Sequence, residues 1–412
     1  MRNKNLNRIR ILSLGGWMSL LSVVSCSPAP EAQKVETGTH VGGIQTPPDT
    51  LGKRASSKKA VWIDMTNAVT GGFLSRLDLQ TGEIKHKMRM VGPDTILKEG
   101  TWVLNDHSGN ESFQGEDQFF LLNRNRQDSL VILKGKNAEI EAQTSFEEGS
   151  NPQDVIRDSQ GKVWVSFLDN NSVRVLSPDL KSTLSQIPLD RLVEENSKDH
   201  LAELGSFIRW GDHQLVVFAQ RIDRDLGDWI PEKKSGLAVL NTQRFEVDSI
   251  QFPEVLNPIY LFQSSNGLGV IGAGILSNHS HESGQKKILS MSNNSESYYF
   301  DSVVEQKDYR FKVLKASYDD ESKQLFLLAW YPELNKSCIQ SEESLIFCLE
   351  GDSENQGYLF SDFIYVDNHF ILSYVGSSQS QIWIVSGDEK SLGKILDKIN
   401  MPIPVVSMIA GP

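Results

Sequence analysis

The stretch Asn151 to Pro178, NPQDVIRDSQGKVWVSFLDNNSVRVLSP, contains three short strands in a row. Asp154–Arg157 comes first, Val163–Phe167 follows the Asp158-Ser159-Gln160-Gly161 turn, and Ser172–Leu176 follows the polar Asp169-Asn170-Asn171 turn. Val163, Val165 and Phe167 alternate with Trp164 and Ser166, and Val173 and Val175 repeat the period of two. Breaks of three or four residues join only antiparallel neighbours. The stretch is thus one blade of a meander that is apolar on both faces and needs copies of itself on either side.

Those copies recur. Strand-plus-turn units open near Asn151, Gly205, Asn257, Tyr309 and Asp362, at separations of 54, 52, 52 and 53 residues. Their second strands stack as Val61–Asp64, Phe119–Asn123, Lys162–Phe167, Gln214–Ala219, Leu268–Ala273, Gln324–Trp330 and His369–Tyr374. Seven such strands predict an all-β, seven-bladed β-propeller of four-stranded antiparallel blades. The first unit has no strand ahead of Ala60 to serve as its innermost one, and Pro404–Ala410 is a spare strand at the far end. Pairing the spare into the first blade closes the ring and hides its edges. Leu189–Leu204 breaks the rhythm and suits one face of a short helix inserted between blades.

The N-terminus carries Arg2, Lys4, Arg8 and Arg10 without an acid, followed by the apolar, glycine-broken run Ile11–Val24. Val23-Val24-Ser25-Cys26 then resembles a bacterial lipobox. That resemblance implies a signal peptide over residues 1–25, cleavage before Cys26 and acylation of that cysteine, each buried methylene adding roughly 0.8 kcal/mol of membrane affinity. Residues 26–59, with Pro28, Pro30, Pro47 and Pro48 among polar side chains, make a flexible tether. The ordered body is 60–412. Because Ser27 stands where inner-membrane retention signals usually have Asp, the outer membrane is the expected location, with the lipid bilayer as partner through Cys26.

The 412-residue chain has 53 acidic and 41 basic side chains, a formal balance of −12 that falls to −16 when the four leader charges are removed. Nucleic acid and anionic lipid surfaces reward clustered Lys and Arg, so neither is expected as a partner. Two cysteines remain, Cys338 and Cys348. Outside the cytoplasm a disulfide between them is permitted, and its short loop is worth roughly 3 kcal/mol on the chain-entropy estimate.

Asn151-Pro152-Gln153-Asp154-Val155 followed by Gly161-Lys162-Val163-Trp164-Val165-Ser166 resembles the repeat of the YVTN/NHL group of β-propellers. The stretch Leu215 to Arg224, then Pro231, Gly236–Thr242 and Asn257-Pro258, is similar to a group of propeller lipoproteins of Gram-negative bacteria, in which a Gln-Arg-hydrophobic-Asp segment precedes the third strand. The resemblance covers Asn151 to Pro258 and implies a fold and an envelope setting, with no reaction attached.

Links between second and third strands open on one rim. Asp169–Asn171 is minimal, whereas Gln220–Ser235, Gly274–Lys287 and Tyr331–Glu343 read as long loops, and variable loops on a rigid scaffold carry binding. In Gln220–Ser235, QRIDRDLGDWIPEKKS, the candidate binding residues are Arg221, Asp223, Arg224 and Trp229, since Arg and Trp are enriched at hot spots. The alternative is that Arg221 and Asp223 pair with each other or with the next blade. Asn278-His279-Ser280-His281-Glu282 offers two imidazoles and a carboxylate, but a metal needs a further ligand that the chain does not nominate. Catalysis of the lactonase or sugar-dehydrogenase type needs convergent carboxylates in the central channel. Asp154 and Asp64 are the candidates, and an Asp in such repeats more often fixes a turn. No Walker loop, Gly-Xaa-Ser-Xaa-Gly elbow or His-Glu-Xaa-Xaa-His helix is present, so no cofactor, metal or catalytic residue is nominated. The chain is expected to be an envelope binding scaffold with a protein partner. The alternatives are a periplasmic channel enzyme and a structural subunit of an envelope assembly.

Overall fold

The computed structural model describes residues 60–411 apart from short segments at 68–70, 92–94, 100–101, 106–110, 115–117, 125–126, 196, 224–229, 232–233, 276–282, 294–297, 320–321, 352–358 and 377–379. Cys26 and residues 26–59 lie outside this set. Among the described residues no helix is long and apolar enough to cross a membrane.

The described strands form seven four-stranded antiparallel sheets. Blade 1 holds Ala60–Asn67, Gly71–Asp78 and Ile84–Val91, and blade 2 holds Thr95–Glu99, Gln118–Asn123, Ser129–Lys134 and Glu139–Ser145. Blade 3 is Pro152–Arg157, Val163–Phe167, Ser172–Leu176 and Thr183–Pro188, and blade 4 is Leu204–Trp210, Gln214–Ala219, Gly236–Asn241 and Glu246–Gln251. Blades 5 and 6 are Pro258–Ser264, Gly267–Gly272, Gln285–Asn293 and Tyr298–Asp308, then Lys312–Asp319, Gln324–Tyr331, Lys336–Ser341 and Leu345–Glu350. Blade 7 is Phe360–Val366, His369–Val375, Ser380–Ser386 and Ile395–Met401. The last strand, Val405–Gly411, is the innermost strand of blade 1 and pairs antiparallel with Ala60–Asn67, Ala60 opposite Gly411. The ring closes as the sequence predicts.

Burial follows the alternation. Val163, Val165 and Phe167 pack with Phe120, Leu122 and Ile132 of blade 2, while Trp164 packs with Leu215, Val217 and Leu240 of blade 4. The apolar interior is accordingly a series of wedges, one between each adjacent pair of blades around to the junction of blades 7 and 1. Burying a Val, Leu or Phe side chain contributes roughly 1.5–3 kcal/mol, so each blade depends on both neighbours.

Three details depart from the sequence reading. Leu189–Leu204 is not a helix: a single 3-10 turn, Asp190–Leu192, is followed by irregular chain. Leu189, Leu192, Ala202 and Leu204 are fully buried between blades 3 and 4, and Asn171 takes up backbone N–H groups of Leu189 and Ala202. Packing between blades outweighs a weak helical period. Tyr331–Glu343 is not a long loop either. Lys336–Ser341 is the third strand of blade 6, joined to the second by the 3-10 turn Pro332–Leu334, because Cys338 and Ile339 are drawn into the core. Third, blade 2 carries an unforeseen hairpin, Trp102–Asn105 with Glu111–Gln114, between its first two strands.

Candidate functional site

Antiparallel strands alternate in direction, so links from strand two to three and from strand four to the next blade share one rim, here called the loop rim. The other links, including the blade 2 hairpin, lie on the opposite turn rim. Ala60 begins a second strand, and so starts on the turn rim.

On the loop rim the long second-to-third links are those of blades 4 and 5. The blade 4 link is built on a departure from its neighbours. Where blade 3 has Asn151 and blade 5 has Asn257, blade 4 has Glu203, and all three take left-handed backbone with φ of 53°, 49° and 48°. Each carbonyl accepts the backbone N–H just past the end of the second strand, that of Leu168, Ala273 and Gln220 at 2.9, 2.9 and 3.0 Å. Asn tolerates that conformation, and Glu is an uncommon occupant. The fully buried Glu203 carboxylate then accepts the N–H of Ile222 at 2.9 Å, tying down the start of the loop.

Arg221 follows, also left-handed at φ 55° and only 7% exposed. Its guanidinium pairs with Glu194 from the link between blades 3 and 4, donates to the Lys234 carbonyl at 2.8 Å, and lies 4.9 Å from the centre of the Phe252 ring. Gln220 reaches across to blade 5, donating to Asn257 Oδ1 at 2.9 Å. Beyond them Ile222–Asp223 pairs with Ile230–Pro231 as a small ribbon. Arg221 is therefore an internal strut, and its carboxylate partner comes from the neighbouring link. Asp223 lies in the ribbon opposite Ile230, while Arg224 and Trp229 fall outside the described residues. Leu192 supports the loop from below: a Cβ on Gly236 would sit 2.7 Å from its Cδ2.

At the centre of the ring, the inner strands present edges whose backbone groups need partners. Among the described residues, side chains of adjacent blades supply several of these partners. Asp154 accepts the N–H of Phe207 in the next inner strand at 2.8 Å, Asp362 that of Met408 at 2.8 Å, Ser407 that of Leu97 at 3.3 Å, and Tyr260 that of Tyr318 at 3.1 Å. Both aspartates also accept the N–H of the residue after them, at 2.8 Å, and each meets a lysine of the preceding blade, Lys98 or Lys315. Burial pushes the Asp362 carboxyl above the ordinary carboxylate range, with Lys315 pulling the other way. Asp64 accepts the hydroxyl proton of Thr95 from blade 2. Asp154 and Asp362 thus serve as stitches between inner strands, and Asp64 ties a second strand to the inner strand of the next blade. Asp362 escaped the sequence reading, although Ser361-Asp362-Phe363 repeats the pattern of Gln153-Asp154-Val155.

Among the described residues no group of three or more His, Cys, Asp or Glu side chains is arranged to hold a metal. Asn278–Glu282 lies outside them. Cys338 and Cys348 are directly opposite on the third and fourth strands of blade 6, Cα atoms 4.1 Å apart, and are joined by a disulfide.

No family model matches the chain, and no curated protein matches it. Solved structures do. A periplasmic gluconolactonase of Pseudomonas aeruginosa superposes with a TM-score of 0.55 at 12% identity, covering 86% of this chain and 99% of its own. A protein of Lactobacillus plantarum gives 0.57 at 12% identity, over 87% and 100%. A putative 6-phosphogluconolactonase of Bacteroides fragilis gives 0.55 at 10%, over 87% and 99%. At these identities what is shared is the fold.

Proposed function

We propose that the chain is a lipid-anchored envelope propeller of the YVTN/NHL kind that binds a protein partner on the loop rim of blades 4 and 5. The observation that carries this reading is the strut made by the buried Arg221 guanidinium with Glu194, the Lys234 carbonyl and Phe252. A loop held at its base by charge-assisted hydrogen bonds is a rigid platform for binding, and Arg224 and Trp229 belong to its sequence. Asp154 and Asp362, the carboxylates that a channel enzyme would use, are instead occupied by backbone N–H groups and lysines. The enzyme reading, which the lactonase structures favour only through a shared fold, stands second.

The test is photo-crosslinking in cells on the full chain, with a photoreactive residue at position 229, within the sequence of the blade 4 link, or at Gln160 on the turn rim. A discrete protein adduct from 229 and not from 160 is the expected result. No adduct, or the same adducts from both, overturns the proposal. The anchor is checked by Cys26→Ala, which should abolish labelling by radioactive palmitate and release the protein from membranes.

A further inference from the structure

The disulfide of blade 6 joins two cysteines in unequal surroundings. Cys338 lies on the third strand and is fully buried, in the wedge that Phe262, Ile271 and Ile288 of blade 5 form with Leu327 and Ala329 of blade 6. Cys348 lies on Leu345–Glu350, the outermost strand of the blade, and is half-buried at the margin of that wedge. The two residues are directly opposite in the ladder. The bond between them therefore runs across the strands, and its continuation past Cys348 leaves the sheet at the outer edge.

Thiol–disulfide exchange is a displacement in which a thiolate attacks one sulfur in line with the bond and expels the other, so access decides which sulfur is struck. Approach to Cys348 Sγ comes from beyond the outermost strand, to which the sheet pairs no further strand. Approach to Cys338 Sγ would have to pass through the apolar wedge. Exchange thus has one open side, and it does not require the blade to come apart. Ser337 with Leu349 and Ile339 with Phe347 stay paired on either side of the bond. The turn of the same hairpin is also held from blade 5, where Lys286 pairs with Glu342 and Lys307 donates to the Glu342 carbonyl at 2.7 Å.

We propose that the Cys338–Cys348 disulfide is a site of thiol exchange in the folded protein, with Cys348 as the sulfur that receives an external thiolate and Cys338 as the buried thiol that is displaced. The incoming thiolate bonds to Cys348 Sγ as the bond to Cys338 breaks. The electron pair passes to Cys338 Sγ, which takes a proton from solvent. Reversal expels the incoming thiol and restores the disulfide. A second external thiol instead releases Cys348 as a thiol and leaves the two external sulfurs joined, so that two electrons and two protons have passed to the cysteine pair. The ligand is a thiol, either a small one or the reactive cysteine of a dithiol protein. Its adduct stands on the outer edge of blade 6, apart from the loop of blade 4.

The test exposes the folded full chain to reduced glutathione, quenches with acid and maps mixed disulfides on the peptides that carry the two cysteines. The expected result is an adduct on Cys348 while near-ultraviolet circular dichroism remains that of the folded body. Two variants sharpen it with oxidised glutathione. The free Cys348 thiol of Cys338→Ala should form its adduct at least about tenfold faster than the free Cys338 thiol of Cys348→Ala. A reduced thioredoxin whose resolving cysteine is replaced by Ser is run in parallel. Faster trapping by thioredoxin assigns the site to a dithiol protein, and reaction with glutathione alone assigns it to small thiols. Exchange seen only in denaturant that unfolds the body, adducts on Cys338 in the parent, or equal rates in the two variants overturns the proposal. The parent mapping decides the matter by itself where a variant does not fold.

Discussion

The centre of the ring and the loop rim of blade 4 both spend buried charge, to different ends. At the centre, Asp154 and Asp362 each catch an N–H of the next inner strand and a lysine of the preceding one, a constellation repeated in two blades. At the rim, Glu203 and Arg221 occur in one blade, and their partners are a loop N–H, a loop carbonyl and the side chain of an interblade link. A buried carboxylate is therefore not in itself a sign of chemistry. Where its partners belong to regular strands it maintains the ring, and where they belong to an insertion it shapes a surface.

The largest effect should come from the centre. Asp362→Ala removes the acceptor of two backbone N–H groups and strands Lys315, a loss of about 3–5 kcal/mol that denaturant melts would register as global unfolding. If the loss is under 1 kcal/mol, the stitching role is wrong. Next comes the disulfide of blade 6, which belongs to neither region. Replacing Cys338 and Cys348 together by Ser should cost about 3 kcal/mol by the chain-entropy estimate, seen as a lower melting temperature that reductant no longer changes.

The rim should respond locally. Arg221→Ala leaves the Lys234 carbonyl and Glu194 without their partner, at about 1–3 kcal/mol, and limited proteolysis should then cut within 220–235 while the core melts nearly as before. A global collapse would erase the distinction between strut and stitch.

The smallest effect concerns Tyr309, whose buried hydroxyl has no hydrogen-bond partner among the described residues. Burial, with Glu342 and Glu305 nearby, pushes its phenol above the ordinary tyrosine range. Burial works against the Lys286 ammonium, but its pairs with Glu305 and Glu342 outweigh that and raise it too. For both groups the folded chain holds the proton to higher pH than the unfolded chain does. Stability is thus fully present below about pH 10 and falls as pH rises through the unfolded values near 10. Tyr309→Phe should be neutral or slightly stabilising at pH 7 and should shallow that alkaline fall in pH-dependent melts.

How far the sequence could be read follows from the physics of each element. The second strands were legible because each lies in the middle of a blade and is apolar on both faces, as in Val163–Phe167. The closing strand was legible because blade 1 lacked one. Lys336–Ser341 was not, since its polar ends mimic a loop and only Cys338 and Ile339 betray burial. The leucines of 189–204 misled because interblade packing imposes its own spacing. At the candidate site the loop was found but not its architecture. Glu194, Glu203 and Phe252 meet Arg221 or its loop through tertiary contacts that no local pattern encodes.

The pairing of Val405–Gly411 with Ala60–Asn67 also sets a timetable. A ribosome delivers the second strand of blade 1 among the first of the propeller and its inner strand last, so every other blade must be made before the circle can shut. Until then Asp362 lacks the Met408 N–H and Leu97 lacks the Ser407 hydroxyl. Every earlier form is an open arc with two unmatched blade faces, and Val405–Gly411 acts as the clasp that turns a string of blades into a body.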